Sequence, residues 1–115
     1  MTAGGPWLAF THGGVAYALP AEGLRGVVPR PSAARVPGAP PAVLGLVAWR
    51  GRVLPLVAPA GGGHRGSVAA AVVMAAGAAL VAVAADRVEG WVPGPGAARV
   101  LVPAEVLAEC RAPGR

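Results

Sequence analysis

Residues 45–57 read GLVAWRGRVLPLV, two apolar runs that are separated by a short charged segment. Both runs have the composition of β-strands, and Arg50-Gly51 lies between them. Glycine supplies the backbone freedom that a tight turn needs. The stretch therefore predicts a β-hairpin of Leu44 to Trp49 and Arg52 to Val57, whose tip carries Arg50 and Arg52 into solvent.

Short apolar runs and glycine or proline turns continue on both sides of this hairpin, and the charged side chains between them are few. Many short strands at even spacing predict an all-β fold, a small barrel or a pair of barrels, in a single domain over residues 1–115. The predicted elements are strands at 7–12, 15–19 and 24–28, a helical turn at 20–24, an irregular proline-rich loop at 29–41, a flexible glycine-rich loop at 58–66, a hairpin of 68–74 and 79–85, an exposed strand at 86–92, a last strand at 99–102 and a short helix at 103–109.

The composition is apolar and basic at once. Hydrophobic residues make up 55% of the 115 positions, and the formal net charge is +5. All ten basic residues are arginines, and the chain has no lysine, asparagine or glutamine, which is typical of a general compositional bias. Because the arginines are scattered rather than clustered, we expect no nucleic-acid partner. A basic nucleic-acid-binding barrel remains an alternative, and its binding would weaken steeply with salt.

The single cysteine and the N-terminus indicate the compartment. Cys110 cannot form an internal disulfide, and without a nearby histidine it is expected to be an inert thiol. The N-terminal sequence MTAGGPW lacks a basic region followed by an apolar one, so no signal peptide is predicted. We therefore expect a cytoplasmic protein.

Residues 67–85 run for 19 positions without a charge, long enough to span a bilayer. Most of them are alanine, which contributes little to membrane insertion, and Gly77 lies near the middle, where a turn would fall. Two buried β-strands are the preferred interpretation, and no membrane insertion is expected. A small membrane protein with a single span at 67–85 is the alternative.

Few residues could carry chemistry. His12 and His64 have no metal-ligand partner at helical or strand spacing, and there is neither a nucleophile elbow nor a phosphate-binding loop. Asp86 is a solitary carboxylate at a strand end, a position that is more often structural than catalytic. We expect no catalytic residue, no cofactor and no metal.

Three tryptophans, Trp7, Trp49 and Trp91, are spread over three predicted strands. Their ordinary role is packing in the core or at the end of a barrel. Trp49 adjoins Arg50, and tryptophan and arginine are the residue types most enriched at binding hot spots. The pair is therefore a candidate for partner binding.

These residues together resemble the CheW-like domain of bacterial chemosensory arrays. The most specific match is Gly45 to Gly51 with Leu54 to Val57, which resembles the family signature G-x-x-x-x-R-G followed by a strand with a central proline. Other matching segments are Phe10 to Pro20, which resembles the opening hairpin, Val36 to Pro40, which resembles a V-P-x-x-P loop, Ala85 to Val88, which resembles V-D-x-V, and Ala98 to Val102 with the helix that follows.

The resemblance implies two SH3-like five-stranded β-barrels packed together, with short helices. It also implies a non-catalytic adaptor in chemotaxis signal transduction. The implied partners are the regulatory domain of a CheA-type histidine kinase and the cytoplasmic tip of a methyl-accepting chemoreceptor. The residue types and the resemblance together assign partner binding to Arg50, Gly51, Trp49, Leu24, Val27 and Arg52.

The chain departs from the family pattern at three places. Gly26 stands where the family often has glutamate, and Ala58 stands where it usually has aspartate. The segment between Trp91 and Arg99 is shorter than in the family, so the second barrel is expected to be incomplete.

Overall fold

Short β-strands form most of the chain. The computed structural model describes residues 6–35, 37–40, 42–59 and 68–111, with the backbone alone at 109–111. The predicted hairpins, the helical turn and the C-terminal helix are confirmed. The elements are β1 (Trp7–His12), β2 (Val15–Pro20), a 3-10 turn (Ala21–Gly23), β3 (Leu24–Pro29), β4 (Ala33–Ala34), β5 (Val43–Trp49), β6 (Arg52–Val57), β7 (Ala70–Ala76), β8 (Ala79–Ala85), β9 (Arg87–Val92), β10 (Arg99–Val100) and α1 (Pro103–Arg111).

Two sheets divide these strands. One has the order β10-β2-β1-β9 and the other the order β3-β7-β8-β6-β5-β4. Neighbouring strands are antiparallel except for two parallel pairs, β10 with β2 and β6 with β8. The expected all-β architecture of two packed units is confirmed. In the described part of the chain the strands divide four and six, and the four-stranded sheet stays open between β9 and β10.

The β7–β8 hairpin is the wall that both units share. Val72 and Val83 face a first core cluster, which also contains Phe10 and Leu19 from the four-stranded sheet. The alternating residues of the same two strands face a second cluster, which lies inside the six-stranded sheet and includes Leu56. Because strands that are buried on both faces carry no polar positions, the hairpin has an unbroken apolar sequence.

The alternative of a membrane-spanning helix at 67–85 is wrong. The described residues of this stretch form β7 and β8, which pair antiparallel from Ala70 and Ala85 to Ala76 and Ala79. Gly77 makes the turn with a φ of 62°. Across the described residues, no helix has both the length and the hydropathy that a bilayer crossing requires.

The two long loops that the sequence predicts, at 29–41 and 58–66, are not confirmed in the way the hairpins are. The proline-rich loop at 29–41 contains a strand, because Ala33 and Ala34 lie between its prolines and pair with Val47 and Leu46 of β5. The glycine-rich loop at 58–66 lies outside the described residues from position 60 onwards.

Candidate functional site

Arg50 and Gly51 form the two-residue turn between β5 and β6, as the sequence predicts. Their φ angles are 49° and 76°, so both lie in the left-handed region that this type of hairpin turn requires. Glycine adopts this conformation freely, whereas a residue with a side chain is strained by about 1–2 kcal/mol. Arg50 therefore has a backbone conformation that is unfavourable for a residue with a side chain. Residues strained in this way cluster at functional sites.

Two exposed arginines and a half-buried tryptophan surround this turn, and we call the group the β5–β6 tip (Trp49, Arg50, Gly51 and Arg52). The Cζ atom of Arg50 lies 4.9 Å from the centroid of the Trp49 ring, a cation–π contact. Trp49 pairs with Arg52 across the hairpin, so both side chains project from the same face. Within the described residues, neither Arg50 nor Arg52 pairs with a carboxylate, and both are exposed.

The indole of Trp49 lies against the backbone of β3. A Cβ atom built on Gly26 would lie 3.1 Å from Cζ2 and from Nε1 of Trp49. The ring also packs against the second core cluster, so it is half-buried. On sequence alone Gly26 stands out only as a departure from the family pattern. The sequence signal that could have indicated this contact is a glycine within one predicted strand and a large tryptophan within another.

The two predicted partner residues of β3 lie at different depths. Val27 is 41% exposed and lies next to Gly26, so it projects from the opposite face of the strand. Leu24 is half-buried and packs against the first core cluster. The structure therefore brings β3 beside the β5–β6 tip through Gly26, while Leu24 contributes mainly to packing.

The other tryptophans lie on the four-stranded sheet, away from the β5–β6 tip. Trp7 is half-buried in β1, and Trp91 is 58% exposed in β9. They pair with Pro20 and Leu8.

Asp86 connects the two sheets. Its Oδ2 atom accepts a hydrogen bond of 2.7 Å from the backbone N–H of Gly13, in the turn between β1 and β2. Its own backbone N–H donates to the carbonyl oxygen of Thr11 at 2.7 Å. Asp86 directly follows β8, so it fixes the end of the shared wall to the first hairpin. This geometry supports the expected structural role.

Asp86→Ala is expected to lower the free energy of unfolding by about 1–2 kcal/mol. The substitution leaves the Gly13 N–H without its charged acceptor. Hydrogen bonds to charged groups contribute about 1.5–3 kcal/mol, and the loss is smaller here because the bond is exposed and water can replace the carboxylate. Asp86→Asn keeps an acceptor oxygen and should lose less than half of this amount. Urea unfolding of the three proteins measures the difference. Equal stability of wild type and Asp86→Ala would contradict the assigned role.

The described residues hold no group of three or more His, Cys, Asp or Glu side chains that could bind a metal ion. His12 is buried at the end of β1, with 7% exposure. His64 and the side chain of Cys110 lie outside the described residues.

The family of the chain follows from this fold and its signature. The family sequence model of the CheW-like domain matches residues 6–93, well over half of the sequence. The chain therefore belongs to the CheW-like domain family, as the resemblance implies. The CheW-like domain is a non-catalytic domain.

A solved structure with the same fold is the scaffolding protein TtCheW from Thermoanaerobacter tengcongensis, with a TM-score of 0.68. The sequence identity is 20%, so the likeness concerns the fold alone. The match covers 78% of this chain and 65% of TtCheW, which means that the chain spans less than two thirds of that protein. No protein with a curated description matches the sequence.

Proposed function

We propose that the chain is a chemosensory adaptor that couples chemoreceptors to a CheA-type histidine kinase in the cytoplasm. The observation that carries the proposal is the exposed Arg50 at the β5–β6 tip, within the family signature and in a strained turn conformation. Membership of the CheW-like domain family supports it.

The tip has the properties of a protein-docking element. A guanidinium group offers five donors in a planar fork, which suits carboxylates and backbone carbonyls of a partner. Arg50 and Arg52 have no ion pair among the described residues, so docking breaks no salt bridge there. Arginine and tryptophan together are typical of interface hot spots.

The proposed mechanism depends on geometry rather than on chemistry. The chain would present the β5–β6 tip and the exposed Val27 side of β3 to the kinase regulatory domain or to the receptor tip. Each interface would be modest in area, and binding two partners within an array raises the apparent affinity through effective concentration.

Arg50→Glu is expected to weaken binding to a CheA-type regulatory domain or to a receptor cytoplasmic tip at least about 10-fold, the scale of a hot-spot residue. The fold should remain intact, because the side chain is exposed at a hairpin tip. Titration calorimetry or a pull-down with each partner measures the loss, and thermal unfolding measures stability.

Arg99→Glu is the matched control, since Arg99 is exposed and lies on the four-stranded sheet. It makes the same change of charge and should keep nearly wild-type binding. Equal losses in both variants would indicate general electrostatic attraction instead of docking at the tip. A folded wild-type chain that binds neither partner would refute the proposed function.

A further inference from the structure

Trp49 bridges a seam in the six-stranded sheet. The strand order β3-β7-β8-β6-β5 places three strands between β3 and β5, yet the indole of Trp49 touches Gly26 of β3. The sheet therefore curls until its separated strands face each other. We call the packing of the Trp49 indole on Gly26 the seam contact.

Gly26 is required by space and not by backbone conformation. Its φ angle lies outside the left-handed region, so other residues could adopt its conformation. A Cβ atom there would lie 3.1 Å from Nε1 and Cζ2 and 3.3 Å from Cε2 of Trp49, closer than ordinary van der Waals contact. Even the smallest side chain at position 26 therefore requires the indole to shift by a few tenths of an ångström, and a larger one by more.

The side chain of Arg50 packs on the same indole ring. The guanidinium lies over the Trp49 ring at 4.9 Å, and among the described residues Arg50 has no hydrogen-bond or ion-pair partner. The position of the charged group therefore depends on where the ring lies. The ring is held from two other sides, by the second core cluster and by Gly26.

We infer that Gly26 and Trp49 are positioning residues that hold the Arg50 guanidinium in a fixed place for docking. The inference deepens the proposed function and rests on it. A side chain that is already ordered loses less conformational entropy when it binds, so the seam contact raises affinity by ordering Arg50. It also makes residue 26 a determinant of affinity.

The first measurement needs no partner. In the wild-type chain, the Nε–H proton of Arg50 should show an upfield NMR shift from the indole ring and restricted side-chain motion. Gly26→Val and the milder Gly26→Ala displace the indole, and Trp49→Leu removes it, so both signatures should diminish. Trp49→Phe keeps an aromatic face and should restore part of the shift. Gly23→Ala is the matched control, because a Cβ there makes only an ordinary contact at 3.5 Å with Leu19.

The second measurement is affinity for the kinase regulatory domain or the receptor tip. Gly26→Val and Trp49→Leu should weaken binding about threefold to fivefold, less than Arg50→Glu. Trp49→Phe should lie between Trp49→Leu and wild type, whereas Gly23→Ala should stay near wild type. A structural role alone would lower stability without moving the Arg50 resonance.

The outcomes separate the seam contact from the proposed function. An unchanged Arg50 resonance in both Gly26→Ala and Trp49→Leu overturns the positioning role. A shifted resonance with unchanged affinity, while Arg50→Glu abolishes binding, overturns it as well. If Arg50→Glu binds as wild type does, the docking role of Arg50 fails and the positioning role fails with it, whatever the NMR spectra show.

Discussion

Val83→Asp should strongly destabilise both units of the protein together instead of weakening only one of them. Val83 lies in β8, is fully buried and belongs to the first core cluster. Burying a carboxylate without a partner destabilises a protein by more than about 4 kcal/mol. The total stability of such a domain is about 5–15 kcal/mol. We therefore expect the melting temperature to fall by at least about 15 °C.

Both units should respond together, because β8 contributes to both cores. Val83 faces the first cluster, while its neighbours Ala82 and Ala84 face the second. A displaced β8 thus opens the packing on either side. Amide hydrogen exchange measures this directly: protection in β1–β2 and in β5–β6 should fall by a similar factor.

Val53→Asp is the matched control for this prediction. Val53 lies in β6 of the same sheet and is 67% exposed, so the same substitution should change stability by no more than about 0.5 kcal/mol. If Val83→Asp opens β1–β2 and leaves the protection of β5–β6 unchanged, the β7–β8 hairpin is not a shared wall.

The double burial of this hairpin also explains what sequence could and could not predict about it. The charge-free stretch at 67–85 fits two buried strands or one membrane span, because neither shows an alternation of polar and apolar residues. Gly77 favoured the hairpin. The outer face of the hairpin is apolar because it packs against a second core, to which β5 and β6 contribute. These strands are distant in the sequence, so no pattern within 67–85 indicates them.

The β5–β6 tip was predictable because its signal is local. An Arg-Gly pair between two apolar runs predicts a hairpin turn, and the structure has it. The contacts that give the tip its shape are not local. Trp49 and Gly26 lie on strands that are separated in the sheet order. The same holds away from the tip, where the hydrogen-bonded Asp86 and Gly13 are 73 residues apart. Such contacts follow only from the topology.

The strand order was the least predictable part of the fold. The parallel pairing of β6 with β8 joins Leu56 to Ala82 although β7 lies between them in the sequence, and no turn residue marks it. The short β4 was missed for a related reason. Prolines define the loop around it, but Ala33 and Ala34 become a strand only because the edge of β5 is available.

Gly45→Ala is expected to lower the free energy of unfolding by about 2–3 kcal/mol, the upper range for overpacking. The backbone of β4, which pairs with β5 at the next two residues, Leu46 and Val47, lies close to Gly45. A Cβ atom at position 45 would lie 2.7 Å from the carbonyl oxygen of Ala34 and 3.2 Å from the Cβ of Ala33. Because the nearest atom is backbone, no side-chain rotation can relieve the clash, and β4 or β5 must move.

Urea unfolding measures the loss, and amide exchange at Ala33 and Ala34 shows whether β4 detaches. Gly94→Ala is the control, since a Cβ there meets no atom within 4 Å, and it should stay within about 0.5 kcal/mol of wild type. Equal stability of Gly45→Ala and Gly94→Ala would refute the steric account. If Gly45→Ala is the costlier substitution, the two glycines of the signature have separate causes. Gly45 then leaves the space in which the backbone of β4 packs, whereas Gly51 permits the left-handed turn that presents Arg50.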